Sequence, residues 1–152
     1  MTQQISIRQQ IITNLCEKLP DSDTILGVYR STVAATQAKA LPVCSVRPAQ
    51  EDIVLDSHTD GQERKLQLQI DYVAAREGAD QSAALDTLID SALVWIEQKV
   101  TEDQTMGGLA RSSAVTAIAW QMEPGEEEFV GAKLAVEIVY DTTSDPSQPD
   151  SA

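Results

Sequence analysis

Arg64-Lys65-Leu66-Gln67-Leu68-Gln69-Ile70-Asp71-Tyr72 alternates apolar and polar residues without a break from Leu66 onward. Side chains of a strand point to opposite faces in turn, so this stretch reads as a strand with one apolar and one polar face. The same apolar phase returns between Lys133 and Tyr140, where Leu134, Val136, Ile138 and Tyr140 are separated by Ala135, Glu137 and Val139. Between the two echoes lies Gln81 to Lys99. There Leu85, Leu88, Ile89, Ala92, Leu93, Trp95 and Ile96, continuing to Val100, form one broad stripe at the helical period. At about 1.5 Å per residue such a helix is roughly 28 Å long, enough to cover a small sheet.

Outward from this frame the remaining elements follow. Ile5 to Leu19 places Ile5, Ile11, Ile12, Leu15, Cys16 and Leu19 on one helical stripe, with Thr2 or Ser6 as cap and Pro20 as stop. Thr24 to Arg30 has strand composition weakened by Gly27, and Ser31 to Leu41 fits a helical turn or a loop equally well. Pro42 leads into a short strand, Val43 to Val46, and Glu51 to Asp56 continues extended. Val43 to Tyr72 therefore reads as a long two-stranded arm with its tip near Thr59 to Gln62. Asp80 is a good N-cap for the long helix, and Thr101 to Leu109, with Gly107-Gly108, reads as a loop. Ser113 to Met122 is a third strand, with Val115, Ala117 and Ala119 on one face and Ile118, Trp120 and Met122 on the other. Apolar residues on both faces predict a central position. Glu123 to Gly131 is the hairpin into the echo strand. The expectation is an α+β domain over residues 1–140: a mixed, mainly antiparallel sheet of four to five strands, two helices on one face and an extended β arm. Asp141 to Ala152 has no apolar residue before its last and is expected to be disordered.

At 152 residues the chain makes one domain with a core that needs no staples. Eleven basic against 24 acidic residues give a net charge of −13, which argues against wrapping nucleic acid, where cations must neutralise phosphates. Cys16 and Cys44 fit no metal spacing and read as buried thiols in a reducing compartment. Met1 to Ile12 lacks the pattern of a secretion signal, and no run approaches the roughly 20 apolar residues of a membrane span.

Candidates for chemistry are few. His58, the only histidine, sits in the polar turn with Ser57 and Asp60, without the desolvated, oriented setting a catalytic base needs. Gly107-Gly108 lacks the Lys-Ser/Thr of a phosphate loop. Glu126, Glu127 and Glu128 are adjacent and cannot all face one ion from a strand; like Asp21 and Asp23 they read as solvated turns. Trp95, Trp120, Tyr72 and Tyr140 lie at core periods and lack the basic neighbours of a base-stacking platform. The expectation is no catalytic residue, no cofactor and no metal. Ile53, Val54 and Leu55 stand out: three consecutive apolar residues without obvious cover in the same domain. Either the hairpin folds over its own core, or a second chain pairs with it, making Ile53, Val54 and Leu55 a candidate subunit interface.

The order of these pieces resembles the tail terminator proteins of long-tailed phages, the lambda minor tail protein U type. The resemblance rests on the N-terminal helix, Leu41-Pro42-Val43 entering a short strand and arm, Arg64 to Tyr72, the acidic entry to a long helix, and the closing strands Ala114 to Met122 and Ala132 to Tyr140. It covers Ile5 to Tyr140. It implies a non-enzymatic, hexameric ring protein that caps the tail tube, stops its polymerisation and offers the surface for head attachment. Implied partners are other copies of the chain, the tail tube protein and the head–tail connector protein. DNA would pass through an acidic lumen without specific binding. The implied location is the virion tail, with assembly in the host cytoplasm. A different neck or tail-completion ring, or a small ligand-binding or enzymatic domain, are the alternatives.

Overall fold

The computed structural model describes residues 5–30, 42–55, 61–75, 82–121 and 129–149. Thr59 and Asp60 at the tip of the expected arm, Asp80, Glu126 to Glu128 and residues 31–41 lie outside them. The echo strands form the centre of the molecule. β3 (Gln62–Ala75) and β5 (Phe129–Thr142) pair antiparallel along their whole length, with Leu66 opposite Ile138, Leu68 opposite Val136 and Ile70 opposite Leu134. Matching apolar phases thus stand side by side on one face, which is why both sequences carry the same alternation. β2 (Val43–Leu55) flanks β3 and β4 (Ser112–Gln121) flanks β5, both antiparallel, while β1 (Gly27–Tyr29) adds to β2 in parallel. The sheet order is β1-β2-β3-β5-β4.

α1 (Ile7–Lys18) and α2 (Ser82–Glu102) cover one face of this sheet. Ser6 caps α1, its hydroxyl accepting from the Gln9 amide at 3.1 Å. Ile7, Ile11, Ile12, Leu15 and Leu19 from α1, and Ile89, Ala92, Leu93, Ile96 and Val100 from α2, meet Val46, Leu66, Leu68, Ile70, Leu134, Val136 and Ile138 in one core. The helices are tied to each other and to the loops. The Trp95 indole N–H donates to the Leu19 carbonyl at 2.9 Å, and Lys18 reaches Asp103 at 2.8 Å. Gly131 marks a close strand crossing: a Cβ there would fall 1.7 Å from the Tyr72 carbonyl oxygen, so only glycine fits. The fold is the α+β arrangement that the periodicities predict.

Three local expectations are corrected. The stretch read as a two-stranded arm is built into the sheet, because β3 is paired on both sides from Gln62 to Val73 and β2 is one strand from Val43 to Leu55. Val43 to Val46 and Glu51 to Leu55 are thus parts of one strand, and a bulge between Pro48 and Gln50 accommodates the proline between them. β4, expected in the centre, lies at the margin. A bulge between Val115 and Ala117 shifts its phase, so Val115, Ile118 and Trp120 stand opposite Val136, Leu134 and Ala132 on the helix-covered face. Its other face is left with exposed Ala114, Ala117 and Ala119. A strict alternation cannot reveal such an insertion.

The segment from Asp141, expected to be disordered, is ordered as far as Pro149. Asp141 and Thr142 complete β5, and the backbone then closes a turn. The Thr143 amide donates to Gln148 at 3.0 Å, the Gln148 amide to Asp145 at 3.0 Å, and Thr142 bridges Pro149. The Asp145 carboxylate accepts from the Ser147 amide and hydroxyl at 2.9 and 2.7 Å. The Pro146 carbonyl accepts from the Ile7 amide at 2.9 Å, satisfying one of the unpaired donors at the start of α1. Polar groups hold this segment where apolar burial is missing. The domain therefore runs past residue 140.

Candidate functional site

The residues singled out in the sequence do not converge. His58 and Glu126 to Glu128 fall outside the described residues. Gly107 and Gly108 (φ +73° and +89°) follow Met106, itself at φ +50°, in a tight turn that closes onto Asp103. The Asp103 carboxylate occupies the Gly107 amide at 2.8 Å, so the glycines serve the turn rather than an anion. Asp21 accepts from the Thr24 amide and hydroxyl. The Tyr72 hydroxyl donates to the Thr24 carbonyl at 2.9 Å. Among the described residues, no three His, Cys, Asp or Glu side chains come together as a metal would require. No described helix is long and apolar enough to cross a membrane.

A cluster absent from the sequence reading lies at the far end of the sheet. Arg64 shares the even phase of Leu66 and Leu68, so it points under the helices and is 6% exposed. Its guanidinium donates in three directions: to the Glu51 carboxylate at 3.0 Å, the Gln62 side-chain oxygen at 2.8 Å and the Thr142 hydroxyl at 3.1 Å. Arg8 from α1 donates to the same Glu51 oxygen at 2.5 Å, and the Tyr140 hydroxyl donates to the other Glu51 oxygen. Burial, and then the carboxylate beside it, push the Tyr140 phenol well above its usual range, so it remains a donor. Six polar side chains from α1, β2, β3 and β5 thus lock one corner. The phase of Arg64 was the signal available in the sequence.

Immediately beyond this corner β2 becomes exposed. Ile53 stands opposite Arg64 and Leu55 opposite Gln62 on the helix-side face, with Val54 opposite Glu63 on the other. They are 47%, 68% and 55% exposed, respectively. β1 pairs with β2 only from Val43 to Ser45, so among the described residues no strand covers the outer edge of β2 from Val46 to Leu55. On the solvent side, Arg111 binds Glu63 at 2.9 Å and Asp141 through Nε at 3.1 Å, fixing the same end of the sheet from the opposite face. The result is an exposed apolar strand end that follows directly on the anchored Glu51.

The solvent face also carries a shallow depression lined by Ala49, Gln67, Gln69, Ala119, Lys133 and Ala135. It is open and holds no pair of acid and base, so it offers no catalytic constellation. Comparison of the sequence with protein-family models and with curated protein sequences finds no match.

Proposed function

We propose that this chain is a structural subunit of a phage tail, of the tail terminator type. It assembles as a hexameric ring on the end of the tail tube, stops tube polymerisation and presents the surface to which the head–tail connector attaches. Its place is the virion tail, reached by assembly in the host cytoplasm. The observation that carries this reading is the open end of β2: Ile53, Val54 and Leu55 are exposed on a strand whose outer edge has no partner among the described residues. An apolar edge of this kind is a liability in a lone chain and an asset in an assembly. The resemblance in element order supports the choice of assembly. The corner built by Glu51, Arg64, Arg8 and Tyr140 supports it as well, because it fixes the edge before any partner arrives.

Charge opposes association. Six copies at −13 each bring −78 together, and repulsion between exposed charges reaches over about 8–10 Å at physiological salt and further when salt is low. The free protein is therefore mainly monomeric in dilute, low-salt solution and assembles at high concentration, with added salt or on the tube. The same charge lets DNA pass through the ring without sticking. Sedimentation across salt and protein concentration tests this. Wild type should form a ring-sized species, and Ile53→Asp with Leu55→Asp should abolish it while circular dichroism remains unchanged. Wild type that stays monomeric in every condition, tail tubes included, ends the ring reading.

A further inference from the structure

We propose that one copy docks on the next by strand addition, with Gln50 to Leu55 at the open edge of β2 joining the outer edge of β4 in a second copy. This rests on the ring reading above and names its contact. The sheet has two margins. At one, β1 covers only Val43 to Ser45 of β2; Pro48 and its bulge interrupt the edge, leaving Gln50 to Leu55 as a regular run. At the other, β4 has no partner on its outer side among the described residues.

β4 lacks two of the usual guards, and its bulge between Val115 and Ala117 is the one it carries. Edge strands are normally blunted by charge or proline, yet Ser112-Ser-Ala-Val-Thr-Ala-Ile-Ala-Trp-Gln121 contains neither, and Trp120 is 56% exposed. The other long strands all carry charges. In a chain of net −13 the uncharged margin is where a like-charged copy meets the least repulsion, which favours self-association there over a basic partner. On the β2 side, the charge of Glu51 is already neutralised by Arg8 and Arg64, and exposed Asp52 stands opposite Lys65 of β3.

Strand direction agrees. β2 runs antiparallel to β3, β3 to β5 and β5 to β4, so β2 and β4 run in opposite directions. A copy displaced across the sheet therefore presents its β4 antiparallel to this β2, extending the pairing mode that dominates the sheet. Different patches meet, so the contact is head to tail and closes into a ring when the rotation per subunit allows.

Two edge-blocked proteins test this: Ile53→Asp with Leu55→Asp on β2, and Ala114→Asp with Ala117→Asp on β4, whose side chains are exposed. Circular dichroism checks folding, and Ala119→Asp serves as a second β4 block. Under conditions where wild type assembles, each variant alone should sediment as a monomer, since each keeps only one working edge. An equimolar mixture should form a species of twice the monomer mass and nothing larger. A β4-blocked variant that still forms rings or dimers alone overturns the proposal, as does a mixture that stays monomeric. Either result leaves the ring itself standing. Wild type that never assembles overturns both.

Discussion

Glu51 neutralises two arginines, and its removal leaves Arg64 buried with only neutral acceptors at Gln62 and Thr142. Breaking a buried ion pair by deleting one partner costs about 3–5 kcal/mol. Glu51→Ala is expected near the lower end, because those two acceptors remain. Chemical denaturation checks it, and a loss below about 0.5 kcal/mol, the range of surface substitutions, would place the pair in water. Asp103 gives a pH signature. Lys18, then the Thr105 hydroxyl, then the Gly107 amide hold its carboxyl well below the usual carboxylate range. The folded state thus takes up this proton less readily than the unfolded chain. Its stabilisation is present above about pH 4, the unfolded value, and is lost as pH falls toward the lower folded one. Asp103→Asn should lower the melting temperature at neutral pH, with the gap to wild type narrowing as the solution is acidified below about pH 4. A gap that stays constant would assign the loss to packing instead.

The C-terminal turn is an element that sequence composition misjudges. Truncation after Thr142 removes the Pro146 carbonyl from the Ile7 amide and the Pro149 bridge from β5. An exposed helix cap contributes about 1 kcal/mol, so the melting temperature should fall by about 2–4 °C; an unchanged value would mean that the turn does not dock in solution. The contrast with β3, β5 and α2 is instructive. Those elements were legible because burial of Leu66, Leu68, Ile70 and their partners imposes a strict period. The turn is held by backbone groups, which every residue possesses and no composition reveals. The bulges at Pro48/Gln50 and Val115/Ala117 were hidden for a related reason: one inserted residue reverses the apparent phase, and the sequence carries no mark of which one. At the candidate site the exposed Ile53-Val54-Leu55 run was legible as a surplus of apolar residues. Its support was not, because Glu51 and Tyr140 meet only after α1, β2 and β5 are placed.

For the whole molecule, charge is the term that solution conditions change most. The exposed side of α2 carries Asp86 and Asp90 four residues apart, with Glu102 beyond, a spacing at which like charges repel. Added salt shortens the screening length from about 30 Å at 0.01 M to about 8 Å at 0.15 M. The melting temperature of the monomer should rise over that range, as repulsion fades faster than the buried pairs weaken. A scan at protein concentrations too low for assembly checks it. A fall would show that surface ion pairs, such as Arg111 with Glu63 and Asp141, outweigh the repulsion.

The central pairing of β3 with β5 also sets a schedule for synthesis. Ala75 ends the first strand of that pair and Thr142 ends the second. At about 5–20 residues per second, a ribosome needs several seconds or more to make the chain between them. Through that interval Leu66, Leu68 and Ile70 lack Ile138, Val136 and Leu134, their neighbours on β5. The nascent chain waits with one edge of β3 unpaired, and only the release of β5 completes the sheet. A slow codon stretch before Phe129 would lengthen that exposure, and a chaperone that holds extended apolar segments would find its substrate there.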